Sequence, residues 1–141
     1  MINATKPTDL QPAAVVVRAV MSAQVARVDP EATLFEVARK LAAVEVGALV
    51  VGGVDRIDGI ISERDVVIAI AERNHPDAIL AGEVAVRDNL LWIGPEHSVG
   101  EAANLMIERG VRHALVGVDG NLAGIVSARD LLAALSTISP R

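Results

Sequence analysis

The chain has 141 residues, 52% of them hydrophobic and 22% charged, with a formal net charge of −5 at pH 7. That composition excludes a disordered chain, and the lack of cysteine excludes disulfides, thiolate metal sites and a Cys nucleophile. The acid excess, with a single Phe and a single Trp, argues against a nucleic-acid partner, which needs a clustered basic face or aromatic stacking platforms.

A chain of this size can bury about 68–70% of its unfolded surface, enough for a core without metal or disulfide staples. The mean hydropathy of +0.43 raises the question of a membrane. The apolar runs, such as Gly47 to Val54 and Val66 to Ala71, fall far short of the about 20 residues that a spanning helix needs. Pro12 to Val17, ended by Arg18, is too short for a signal segment. The expectation is a soluble, cytoplasmic protein with no membrane partner.

In chain order, residues 1–13 read as a tail and 14–71 as a first repeat. Residues 25–28 suggest a short strand. Thr33-Leu34-Phe35-Glu36 fits a capping box, followed by apolar residues at helical spacing, Leu34, Val37, Ala38 and Leu41. Residues 48–51 form a continuous apolar run expected as a buried strand. Val54-Asp55-Arg56 then turns the chain into a strand over 57–61, and a helix is expected over 63–71. Residues 72–83, with His75-Pro76-Asp77, read as a linker. The second repeat, 84–135, runs the same way: a strand over 90–93, the box Ser98-Val99-Gly100-Glu101, then Val99, Ala102, Ala103, Met106 and Ile107 at helical spacing. Next come a strand over 114–118, the turn Asp119-Gly120-Asn121, a strand over 122–126 and a helix over 128–135. Trp92 is expected in the core, and 136–141 as a second tail.

The two halves match at a shift of 65 residues without a gap. Pro30-Glu31 falls on Pro95-Glu96, Glu36 on Glu101, Ala38 on Ala103, Val46 on Val111 and Val51-Gly52 on Val116-Gly117. Gly59-Ile60 falls on Gly124-Ile125, Ser62 on Ser127, and Arg64-Asp65 on Arg129-Asp130. Two copies are too few for a solenoid and suit a pseudo-symmetric pair.

Gly59-Ile-Ile-Ser-Glu-Arg-Asp65 and Gly124-Ile-Val-Ser-Ala-Arg-Asp130 each end a strand and open a helix. Two readings stand side by side. Ser-x-x-Asp is a capping box in its own right, with the glycine shaping the hairpin. The same geometry also suits a ribose and phosphate: free N–H groups and the positive dipole end attract phosphate, and a carboxylate accepts from ribose hydroxyls. Nothing catalytic emerges. His75, His97 and His113 lack metal-ligand spacing, and neither Ser62 nor Ser127 sits in a G-x-S-x-G elbow.

The doubled β-α-β-β-α order, closed each time by Gly-h-h-Ser-x-Arg-Asp, resembles a tandem pair of cystathionine-β-synthase (CBS) domains, the Bateman module. Arg18-Ala-Val-Met-Ser22, Val28-Asp-Pro30, Val46-Gly-Ala-Leu-Val-Val51 and Gly110-Val-Arg-His-Ala-Leu-Val116 carry the resemblance further, over residues 14 to 135. It implies an α+β fold of two pseudo-two-fold repeats and a stand-alone regulatory sensor, not an enzyme. It also implies a homodimer acting on an unidentified protein target. The implied ligand is adenosine-containing, AMP, ADP, ATP or S-adenosylmethionine, held as a regulator in place of a cofactor, with no metal.

Carried onto this chain, one site would use Ile125, Ser127, Arg129 and Asp130 with Met21, Ser22, Ala26, Val46 and Gly47, and Arg112 and His113 facing phosphates. A weaker counterpart would use Ile60, Ser62, Arg64 and Asp65 with Val86, Arg87, Leu91 and Val111. There Gly47 and Ala48 replace Arg112 and His113. The second repeat has Val86-Arg87 where the family pattern has Met-Ser/Thr, and Leu49 and Ala114 stand where it often has proline. A ligand-free interaction module, with Ser-x-x-Asp serving only as caps, is the alternative.

Overall fold

A computed structural model describes residues 15–73 and 75–138, the last two by backbone alone. The expected tail 1–13 lies outside these residues. So do 139–141 of the other tail, whereas 136–138 continue the final helix.

The fold is α+β. A 3-10 turn, Val17–Ala19, leads to β1 (Arg27–Val28), α1 (Leu34–Val44), β2 (Ala48–Val51), β3 (Gly59–Ser62) and α2 (Glu63–Arg73). There follow α3 (Ala81–Val84), β4 (Trp92–Ile93), α4 (Val99–Arg109), β5 (His113–Val118), β6 (Asn121–Ser127) and α5 (Ala128–Ile138). Each three-stranded sheet has its middle strand parallel to the first and antiparallel to the third: β1-β2-β3 and β4-β5-β6.

Local chemistry explains the elements. Thr33 and Ser98 cap α1 and α4, each accepting from the N–H of the glutamate three residues on, while that glutamate accepts from the cap residue's own N–H. Both boxes thus satisfy two otherwise orphaned donors. Asp119 and Gly120, with φ of 52° and 78°, make the left-handed two-residue turn that matches strand twist and joins β5 to β6. The strands expected over 25–28 and 90–93 shorten to two residues each. Ile93 points into the core, and Trp92, expected there, is 36% exposed instead.

The chain divides into two compact units. One is continuous, Val25–Leu90. The other is split, residues 15–24 joined by 91–138. The continuous unit's core gathers Leu34, Val37, Leu41, Leu49, Val51, Ile61 and Val66. Ile79 and Ala81 belong to that core as well, so the segment expected as a linker over 72–83 is part of a packed body. The split unit's core gathers Leu91, Ile93, Val99, Met106, Val116, Val126 and Leu131, together with Val17. Residues 15–24, expected to open the first repeat, therefore complete the unit built on the second. Among the described residues no helix is long and apolar enough to cross a membrane.

Candidate functional site

The two Ser-x-x-Asp motifs open α2 and α5 as capping boxes. Ser127 N–H donates to Asp130 Oδ2 at 2.8 Å, and Asp130 N–H to Ser127 Oγ at 3.0 Å. In the continuous unit Ser62 N–H donates to Asp65 Oδ2 at 2.8 Å and Asp65 N–H to Ser62 Oγ at 3.2 Å. There the Ser62 hydroxyl also donates to Asp65 Oδ2, at 2.9 Å. Both carboxylates spend Oδ2 on the cap, which leaves Oδ1 outside it. All four side chains are half-buried, and each aspartate lies where a helix dipole favours negative charge.

The flanking strand brings further groups to each helix start. In the split unit Arg112 O accepts from Ala128 N–H at 2.8 Å, and His113 pairs with Ser127 across β5 and β6. Arg112 and Arg129 are exposed, and His113 is half-buried. In the continuous unit Gly47 O accepts from Glu63 N–H at 2.9 Å, and Ala48 pairs with Ser62. So Arg112 and His113 have only the uncharged Gly47 and Ala48 as counterparts, while Arg129 has Arg64, and beside Asp65 the first helical turn carries the acid Glu63 as well.

The leader segments complete each unit. Ser22 and Ile125 exchange backbone bonds at 2.9 and 3.0 Å, and Val86 and Ile60 do the same at 2.8 and 3.0 Å. The pairs place Ser22 opposite Val86 in the repeat, a shift of 64. The counterpart of Met21-Ser22 is therefore Ala85-Val86, not the Val86-Arg87 expected from the gapless shift of 65. The extra residue lies between Val86 and β4, where Asn89 adopts a φ of 61°. Arg87, a candidate for the weaker site, turns its guanidinium onto Gly82 O.

Of the first candidate set, Met21, Ser22, Arg112, His113, Ile125, Ser127, Arg129 and Asp130 lie together in the split unit. Ala26, Val46 and Gly47 belong to the continuous unit, where Ala26 O accepts from Val50 N–H and Val46 N–H donates to Leu41 O behind α1. Of the second set, Ile60, Ser62, Arg64, Asp65, Val86 and Arg87 lie in the continuous unit. Leu91 and Val111 lie in the split one, with Leu91 O accepting from Leu115 N–H and Val111 N–H donating to Met106 O.

The motif glycines have a role that the sequence reading misses. A Cβ on Gly124 would lie 2.7 Å from both Met21 Sδ and Ser22 O, and one on Gly59 would lie 2.5 Å from Val86 O. Both positions are glycine because a leader segment crosses the strand there, rather than because the hairpin needs shaping. Their recurrence in both copies is the signal, but the crossing segment is distant in sequence.

The CBS domain family matches residues 17–72 and again 81–137. Hypoxic response protein 1 of Mycobacterium tuberculosis is 34% identical over 116 residues, 81% of this chain and 80% of its own length. The solved CBS-domain containing protein ATU1752 of Agrobacterium tumefaciens superposes with a TM-score of 0.78 at 26% identity, covering 86% of this chain and 99% of its own. The CBS domain pair of protein MJ0100, in complex with 5′-methylthioadenosine and S-adenosyl-L-methionine, gives 0.78 at 20% identity, covering 89% and 98%. Hypoxic Response Protein I, solved with two coordinated zinc ions, gives 0.67 at 32%, covering 84% and 98%. The described residues of the present chain gather no group of three or more His, Asp or Glu that could hold such an ion.

Proposed function

The chain belongs to the CBS domain family, as a tandem pair of its domains, and on that premise we propose that it is a regulatory module that binds an adenosine-containing ligand, AMP, ADP, ATP or S-adenosylmethionine, and signals by a change of conformation or assembly. The reading rests on one observation above the others: Asp130 caps α5 through Oδ2, with Oδ1 outside the cap, beside Arg112, His113 and Arg129. A carboxylate for ribose hydroxyls thus neighbours cations for phosphate. The complex of MJ0100 supports it at the level of the fold, which accommodates adenosine compounds. The proposal extends to a homodimer that acts on a protein target without catalysis of its own.

The site on the Asp130 side is proposed to be the tighter of the two, since Gly47 and Ala48 offer no charge beside Asp65 and Glu63 adds a negative one. Each charge-assisted hydrogen bond to a ligand is worth about 1.5–3 kcal/mol, hence about tenfold or more in affinity. Titration of AMP into Asp130→Ala and Asp65→Ala should therefore show the larger loss for Asp130→Ala. Equal losses would remove the asymmetry.

The engagement of both Ser-x-x-Asp pairs in caps favours a second reading, a ligand-free interaction module. Stability does not separate the two, because either variant loses a cap worth about 0.5–2 kcal/mol. A thermal-shift panel of AMP, ADP, ATP, NAD and S-adenosylmethionine does. A ligand at 100 times its Kd stabilises by about 2.7 kcal/mol, and no shift with any of them leaves the ligand-free module.

A further inference from the structure

We propose that residues 15–22 form a strap that opens and closes on the split unit as one piece, and that ligand at the Asp130 site holds it shut. The strap is docked by backbone hydrogen bonds and by an apolar face, with Val17 in the core of the split unit and Val15, Val20 and Met21 packed against it. Val17 N–H donates to His97 O at 2.8 Å, Arg18 N–H to Pro95 O at 2.9 Å and Val99 N–H to Val15 O at 2.8 Å, and the Ser22–Ile125 pair completes the set. Arg18 pairs with Glu96 at the surface. One strap side chain, Val17, is fully buried. Val15, Val16, Val20 and Met21 are half-buried, and Arg18, Ala19 and Ser22 are exposed.

Connectivity separates this strap from its counterpart in the continuous unit. Residues 80–86 follow Ile79 and α2 within the same unit, and are pinned again by Ala81 N–H to Ala32 O and Gly82 N–H to Pro30 O. The strap at 15–22 instead runs on directly into Val25–Leu90, the other unit, so it is held to its own unit by noncovalent contacts. Segments with few buried side chains and edge-type hydrogen bonds open at low free energy.

Opening would strip Met21 and Ser22 from Ile125 and so dismantle one wall of the candidate site. A ligand that touches this wall binds the strapped state better and shifts the population toward it. This coupling rests on the function proposed above, whereas the opening itself does not.

Hydrogen exchange on the full chain tests both. The amides of Val17, Arg18, Ser22, Val99 and Ile125, which sit in three distant stretches of sequence, should exchange at one shared rate, faster than Leu115, whose N–H is bonded to Leu91 O inside the sheet. Gly124→Ala, which sets a Cβ against Ser22 O, should speed this set by about tenfold or more and leave Leu115 unchanged. Val17→Ala should do the same by removing the buried anchor, and serves if Gly124→Ala fails to fold. Exchange of the five amides at the rate of Leu115 in the unsubstituted chain overturns the strap. Saturating AMP should slow the set more than it slows Leu115. AMP that raises Tm yet leaves the set unchanged overturns the coupling. AMP that produces no thermal shift overturns the AMP-binding reading and with it the coupling by AMP, and the strap is then judged on the ligand-free exchange alone.

Discussion

Glu101 shows how one side chain ties stability to pH. Its carboxylate is held below its ordinary range, first by the hydrogen bond from Ser98 N–H at 2.9 Å, against a smaller opposing effect of desolvation, with nearby His97 and the Ser98 hydroxyl lowering it further. A carboxyl whose folded value is lowered binds its proton more readily when unfolded. The stability it contributes is present above the unfolded value and is lost as pH falls through the lowered, folded one. Glu101→Gln keeps an acceptor for the cap but cannot titrate. Urea midpoints from pH 7 down to pH 3 should therefore fall less steeply for Glu101→Gln than for the unsubstituted chain, and parallel curves would refute this. The same box is an instance of what sequence conveys well, because Ser98 and Glu101 cap one another across three residues. Arg56 is held above its ordinary value by its hydrogen bond to Asp58, and since it is charged at every accessible pH it adds no such dependence.

Among the elements, the stretch expected to link the repeats is mostly exposed but sends Ile79 and Ala81 into the core. Ile79 is 1% exposed and sits with Leu34, Leu49 and Ile61, and its carbonyl accepts from Leu34 N–H at 2.9 Å. Ile79→Ala should cost about 2–5 kcal/mol, the range for emptying a buried aliphatic site. A loose linker would tolerate the change within about 0.5 kcal/mol, so chemical denaturation decides between the two. Composition hides this role, since Glu72 to Asp77 reads as polar punctuation and a single isoleucine gives no period. The helices and paired strands were legible because their patterns are local and occur twice. The crossing of each leader over Gly59 or Gly124 was not, because it joins Gly59 to Val86 and Gly124 to Ser22, residues far apart in sequence that share no local pattern. The shift of 64 in the leaders was equally hidden, for residues 87–91 carry no motif against which one added residue could be counted.

At the scale of the whole molecule, sequence order and spatial membership part company. One unit is a single stretch, Val25–Leu90, and the other is assembled from two stretches that flank it. The repeat boundary found by self-comparison is therefore a boundary of pattern, while the physical division falls near residues 24 and 90. Cutting the chain at position 74 would leave 1–74 with a leader whose docking surface is gone, and 75–141 with Ile79 and Ala81 stripped of the core they fill. The 1–74 fragment alone should lack a cooperative unfolding transition, because the core that Ile79 and Ala81 fill is left open, and co-expression with 75–141 should recover one. A 1–74 fragment that unfolds cooperatively by itself would contradict this. The crossed leaders carry an ancestral corollary. A gene encoding a single such repeat would make a chain whose first residues have no home on their own body, so two products would have to trade them, a trade that the tandem order makes within one chain.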